Sequence, residues 1–156
     1  MLALTKRNIA AGDFTFGERI AMGRIFDSSK EMTDIERTKQ IIYCLHDKVI
    51  DDLEAKQWEA YALEICEAYV AWVNRENREC SVPPQDEAIR AGIEQCAQEC
   101  GDMACVVDMA ERFGYSFEQV YNMPYVDVFT IWKVDAARAR FRRRLDNVLA
   151  QKRKVK

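Results

Sequence analysis

Cys96, Cys100 and Cys105 are the residues whose spacing comes nearest to chemistry. Residues four apart share a helical face, so Cys96 and Cys100 would present two thiols one turn apart, half of a zinc site. Cys105 lies past Gly101, and a fourth ligand would have to come from Cys80, Cys66 or His46. Structural zinc uses tighter pairs, typically with about two to four intervening residues in each. The six cysteines, Cys44 among them, are therefore expected to be reduced, buried thiols, and no metal or other cofactor is expected.

Enzymatic chemistry lacks its residues. There is one histidine, and no Gly-rich phosphate loop, nucleophile-elbow pattern or spaced histidine and carboxylate set accompanies it. His46 falls at a predicted helix end, where a cationic imidazole would complement the helix dipole. The chain reads as a non-enzyme.

The remaining chemistry is charge. From Lys133 to Lys156 ten Lys or Arg face only Asp135 and Asp146, leaving thirteen basic and twenty-four acidic side chains for the rest of the chain. The formal net of -3 thus conceals an acidic body with a basic tail helix. Arg138, Arg140, Arg142, Arg143 and Arg144 are spread around that helix. They suit phosphate, an acidic partner, the chain's own acidic surface, or plain solvation.

These residues must be positioned by helices. Thr15 to Glu18, Thr33 to Glu36 and Ser116 to Gln119 each place a hydroxyl at a helix start and a Glu or Gln three residues on, the capping-box pattern. They predict helices from Thr15 to about Phe26, from Thr33 to about His46, and a short one closed by Asn122-Met123-Pro124. Asp51 or Asp52 caps the strongest element, about 53–76. There Trp58, Tyr61, Ala62, Ile65, Tyr69, Trp72 and Val73 recur at three- and four-residue steps, opposite Glu59, Glu64 and Glu67.

Pro83-Pro84 cannot continue a helix, so 77–84 is an internal loop. Beyond it one helix is expected over Glu87 to Cys100, with Ile89, Ile93, Cys96, Ala97 and Cys100 on a common face and Gly101 as its left-handed cap. Asp102 starts the next, which carries Val106, Met109, Ala110 and Phe113 and ends at Gly114. A long C-terminal helix should run from about Tyr125 to Ala150, with 151–156 a flexible basic tail. The class is all-α, an irregular bundle of about six to seven helices.

With 156 residues, 49% hydrophobic and 31% charged, the chain has the size and balance of a single globular domain spanning 1–156. No apolar stretch approaches the roughly 20 residues of a membrane span, and the start from Met1 to Arg7 offers no secretion signal. A cytoplasmic protein is expected.

Within Val106 to Tyr125, Ala110, Gly114 and Val120 have helix-turn-helix spacing: a small residue for close approach, a glycine for the turn, and a valine to pack the second helix. A DNA-reading helix needs basic or amide residues at its start. Ser116 to Tyr121 offers Gln119 beside an acidic Glu118, so the pair reads as structural.

The run Ala110-Glu111-Arg112-Phe113-Gly114-Tyr115-Ser116-Phe117-Glu118-Gln119-Val120, followed by Met123-Pro124-Tyr125-Val126-Asp127-Val128-Phe129, resembles the tail assembly chaperones of long-tailed bacteriophages and prophages. The segments Gly12 to Arg19 and Pro83-Pro84 to Ile93 look like proteins of that kind as well. The resemblance implies a non-enzymatic role: keeping the helical tape measure protein soluble in the host cytoplasm and helping tail tube subunits assemble around it. On that reading the expected partner anchors are Tyr121, Tyr125, Phe129 and Trp132, aromatic residues of the type enriched at interfaces. The competing function is nucleic-acid binding through the helix pair and the Arg-rich tail, against which the acidic body argues.

Overall fold

The computed structural model describes residues 4–28 and 31–154. The expected reading of Met1 to Ala3, and the last two residues of the basic tail, lie outside them. Eight α-helices and a short 3-10 turn, η1 (Ile9–Ala11), account for the regular structure among the described residues. They are α1 (Phe16–Ser28), α2 (Asp34–His46), α3 (Asp52–Glu79), α4 (Asp86–Arg90), α5 (Ile93–Cys100), α6 (Met103–Phe113), α7 (Phe117–Tyr121) and α8 (Tyr125–Lys154). The class is all-α with a long C-terminal helix, as expected.

The predicted caps form. Glu18 N–H donates to Thr15 Oγ1 at 3.2 Å while Thr15 N–H donates to the Glu18 carboxylate at 2.7 Å. Thr33 with Glu36 and Ser116 with Gln119 close the same reciprocal pairs, and Asp51 caps α3 by accepting from Glu54 N–H at 2.9 Å. Each cap satisfies amides that the first helical turn leaves unpaired.

Three boundaries differ from expectation. The helix expected over Glu87 to Cys100 is two, because Gly92 adopts φ 84 and breaks the backbone between α4 and α5. α3 continues to Glu79, so the Pro83-Pro84 loop begins later than 77, after the cap at Cys80. α8 runs to Lys154, so the tail expected to be flexible from 151 is helical in its first four residues. The caps of α4 to α6 also lack side-chain hydrogen bonds, and Gly101, at φ 52 and ψ −144, is not a left-handed cap.

One core joins η1, α1, α2, α3, α6, α7 and the first turns of α8, around Phe16, Met22, Ile41, Ile42, Ile65, Met109, Val120 and Tyr125. Arg7 straps the N-terminal segment across it: its N–H donates to Tyr61 Oη at 2.8 Å and its guanidinium makes two bonds to Glu18 at 2.6 and 2.9 Å. Trp72 Nε1 donates to the Ile9 carbonyl at 2.9 Å. The start of α8 is pinned beside α1 by Phe16 N–H to Met123 O and Tyr125 N–H to Phe14 O, both 2.9 Å. α4 and α5 contribute no buried residue, and beyond Ala136 no described residue of α8 is buried.

Candidate protein-binding surface

Two of the four expected anchors are core. Tyr125 is fully buried, stacked on Phe14 with ring centroids 4.7 Å apart and edge-on to Trp72, and its hydroxyl donates to the Glu76 carboxylate. Phe129 packs edge-on to Trp72 at 5.3 Å, with Arg75 over its ring at 4.7 Å. The backbone bonds that draw residues 123–125 onto 14–16 carry both rings inside. Their assignment as partner anchors is thereby corrected.

The other two line grooves. Trp132, half-buried and edge-on to Phe16 at 5.4 Å, borders a groove of about 560 Å³ between α1, α3, α6 and α8, lined by Ile20, Ala136 and Ala139 together with Arg19, Glu76, Asp102 and Asp135. Tyr121 borders a wider one of about 870 Å³ that also meets Ala21, Tyr43, Val49 and Ile50. Tyr121 lies against Gly17, where a Cβ would stand 3.1 Å from its carbonyl oxygen, so that glycine lets α7 approach α1.

Both grooves are lined by thiols, Cys80 and Cys105 in the first and Cys44 in the wider one. In the wider one, burial pushes the Cys44 thiol up to about 11, which keeps it protonated and unreactive near neutral pH. His46 approaches Tyr61 Oη at 3.2 Å, and burial with the nearby Arg7 lowers its pKa, so it is a neutral member of the Arg7–Tyr61 strap.

The cysteines differ from expectation. Cys44, Cys66 and Cys80 are half-buried, while Cys96, Cys100 and Cys105 are exposed; for Cys96 and Cys100 the reason is that α5 buries no residue, whereas Cys105 lies on α6 to one side of its buried Val106, Met109 and Ala110. Cys96 and Cys100 do come together, with Sγ atoms 4.0 Å apart. Among the described residues no group of three or more His, Cys, Asp or Glu is placed to hold a metal ion.

The α6–α7 pair folds as its spacing implies. Ala110 and Val120 are buried, and Gly114, at φ 66, turns the chain, with its own N–H and that of Tyr115 both directed to the Ala110 carbonyl. Gln119 spends its amide oxygen on Ser116 N–H at 2.9 Å, inside the cap.

The arginines of α8 divide into two sets. Arg140 donates to the carbonyls of Glu79 and Ser81 at 3.2 Å, and Arg143 donates to that of Pro83, so the 80–84 loop is tied to one side of the helix. Arg138, Arg142 and Arg144 make no ion pair or hydrogen bond among the described residues and are exposed. Interleaved with them are exposed apolar side chains, Val134, Phe141, Leu145, Val148 and Leu149. Sequence reasoning missed these; the signal was the three- and four-residue recurrence of 134, 138, 141, 145 and 148, overshadowed by the arginines between them.

No family model, curated protein or solved structure matches the chain. No described helix is long and apolar enough to cross a membrane.

Proposed function

We propose that the chain is a non-enzymatic protein-binding factor of the tail assembly chaperone type, which holds a helical client, the tape measure protein, soluble before the tail tube assembles around it. The observation that carries this reading is the distribution of exposed apolar side chains. Of the eighteen large hydrophobic residues exposed among the described residues, thirteen lie from Ile89 onward, on α4 to α8 and their connections. Those same elements include α4, α5 and distal α8, which the core leaves uncovered. Apolar surface of this extent, set among charged residues, is the character of a surface that receives a partner.

Supporting it, the resemblance over Ala110 to Phe129 falls on the α6–α7–α8 junction that presents this surface. Co-expression with a tape measure protein from the same genome tests the reading. The client should become soluble and co-elute with the chain on size exclusion. A client that stays insoluble whether or not the chain is present removes the chaperone assignment.

A further inference from the structure

Distal α8, from 137 to 154, extends eighteen residues past Ala136, the last buried one among the described side chains, a reach of about 27 Å at 1.5 Å per residue. At about 100° per residue, Val134, Phe141, Leu145 and Val148 fall within about 60° of one another around the axis. They are respectively 42%, 57%, 44% and 49% exposed, a stripe facing water. Their steps of seven, four and three residues are those of a coiled-coil seam, with Arg138 at the intervening seam position and Lys152 at the next one beyond Val148.

The charges have a matching order. Arg142 and Arg144 fall about 70–90° to either side of the stripe, the flanking positions where interhelical ion pairs select a partner. Arg143 falls about 170° from the stripe and Arg140 about 110° from it, and there they hold the carbonyls of Pro83 and of Glu79 and Ser81. The back of the helix is thus fastened to the protein, and the front is presented with its apolar stripe and unpaired arginines. Arg138 can lay its methylene stem along the seam and keep its guanidinium in water.

We infer that this front receives an acidic amphipathic helix, one with an apolar stripe flanked by Glu or Asp. The inference rests on the protein-binding reading above and names the partner's chemistry at that surface. Charge selects the occupant. A second copy of α8 laid along the first would set arginine against arginine at the flanks and at the Arg138 seam position, which opposes pairing. A phosphate backbone would satisfy the arginines but offers nothing to bury against Phe141, Leu145 and Val148, while an acidic amphipathic helix satisfies both.

The probe is a synthetic amphipathic peptide of about four heptads, with Leu at the seam positions and Glu at the flanks. Its binding to the full chain is followed by fluorescence anisotropy, beside a version with Lys at the flanks and a duplex DNA. The Glu peptide should bind, with affinity falling as salt rises, and at least tenfold tighter than the Lys peptide. R142E with R144E should invert that preference, and F141S with L145S should abolish binding, each at unchanged Tm because these side chains are exposed. Equal affinity for the Glu and Lys peptides, DNA binding tighter than either, or a dimer that F141S with L145S dissolves would overturn the inference. Should the F141S, L145S chain still solubilise the tape measure client, the inference fails while the chaperone reading survives on another face.

Discussion

The Arg19 guanidinium meets the Glu76 carboxylate in two parallel hydrogen bonds, Nε to Oε1 and Nη2 to Oε2, each 2.8 Å, joining α1 to α3. Arg19 also donates to Tyr69 Oη at 2.8 Å, and Tyr125 donates to the same carboxylate, so one charge pair ties three helices beneath the first groove. The two side chains are only 19% and 13% exposed. Removing one partner leaves the other charge without its counterpart in a largely dry site. Glu76→Ala should cost about 3 kcal/mol, measured by urea unfolding. The double variant with Arg19→Met should recover part of that loss; additive losses would show the pair to be uncoupled.

Glu79, at the end of α3, accepts from Lys133 at 2.8 Å, Arg75 at 3.1 Å and Arg78 at 3.2 Å. The Lys133 bond first, then the two arginines, hold its pKa at about 2, below the ordinary 4.5. A carboxylate depressed on folding contributes stability that is complete above about 4.5 and is lost as pH falls toward about 2. Acid unfolding should therefore be shallower in Glu79→Gln than in the parent over that window, as read by circular dichroism. Identical acid limbs would place the loss at other carboxylates.

The aromatic residues after Pro124 separate core from surface. Tyr125→Ala and Phe129→Ala should each destabilise by about 3–5 kcal/mol, since each empties a ring-sized space between α3 and α8. Phe141→Ser and Leu145→Ser should leave the melting temperature within a degree or two, as exposed positions do. A fold indifferent to Tyr125→Ala would return that ring to the surface.

What was legible in the sequence follows from which signals are local. Capping boxes are satisfied within four residues, so Thr15, Thr33 and Ser116 marked their helices correctly. The α3 stripe was legible because one long amphipathic helix carries most of the core's face. Tyr125 and Phe129 were misassigned because their burial depends on backbone bonds to Phe14 and Phe16, more than a hundred residues away. The exposure of Cys96 and Cys100 was hidden for the converse reason: an apolar face predicts burial only where a neighbour covers it, and α5, which meets α4 and α6, buries no residue against them. In α8 five arginines between 138 and 144 mask the apolar recurrence in the sequence, and only the fold separates Arg140 and Arg143, bound to the 80–84 loop, from the stripe of Phe141, Leu145 and Val148.

Two glycines at positive φ distinguish conformational strain from collision. At Gly114, φ 66, a Cβ would meet nothing within 4 Å, so Gly114→Ala should cost only the left-handed strain, about 1–2 kcal/mol, and Gly114→Val somewhat more. At Gly12, φ 87, a Cβ would overlap Val126 Cγ2 and stand 3.3 Å from the Trp72 ring, so overpacking adds about 1–3 kcal/mol to the same strain. Chemical denaturation should rank Gly12→Ala below Gly114→Ala. The companion Gly12→Ala, Val126→Ala chain should recover most of the difference, and a failure to recover it would show the turn at Gly12 to be limited by strain alone.

Nucleic acid is the remaining claimant for the basic helix, and the described part of it already commits several of its charges elsewhere. Arg140 and Arg143 are engaged by the carbonyls of Glu79, Ser81 and Pro83, and Lys133 by Glu79, which leaves Arg138, Arg142, Arg144 and Lys152 as the described cations of the tail open to phosphate. Each phosphate neutralised adds about 0.9 to the slope of log affinity against log salt on B-DNA, so contacts through these four described cations would contribute about −3.6 to it. The acidic body, with its excess of Asp and Glu, repels the same phosphates. Duplex and single-stranded probes should therefore bind weakly or not at all near about 150 mM salt, where Debye screening within about 8 Å already blunts exposed arginines. Reversing Arg142 and Arg144 to Glu should then leave the titration unchanged while eliminating capture of an acidic helix. Submicromolar DNA binding that this reversal removes would assign the tail to nucleic acid and withdraw the chaperone reading.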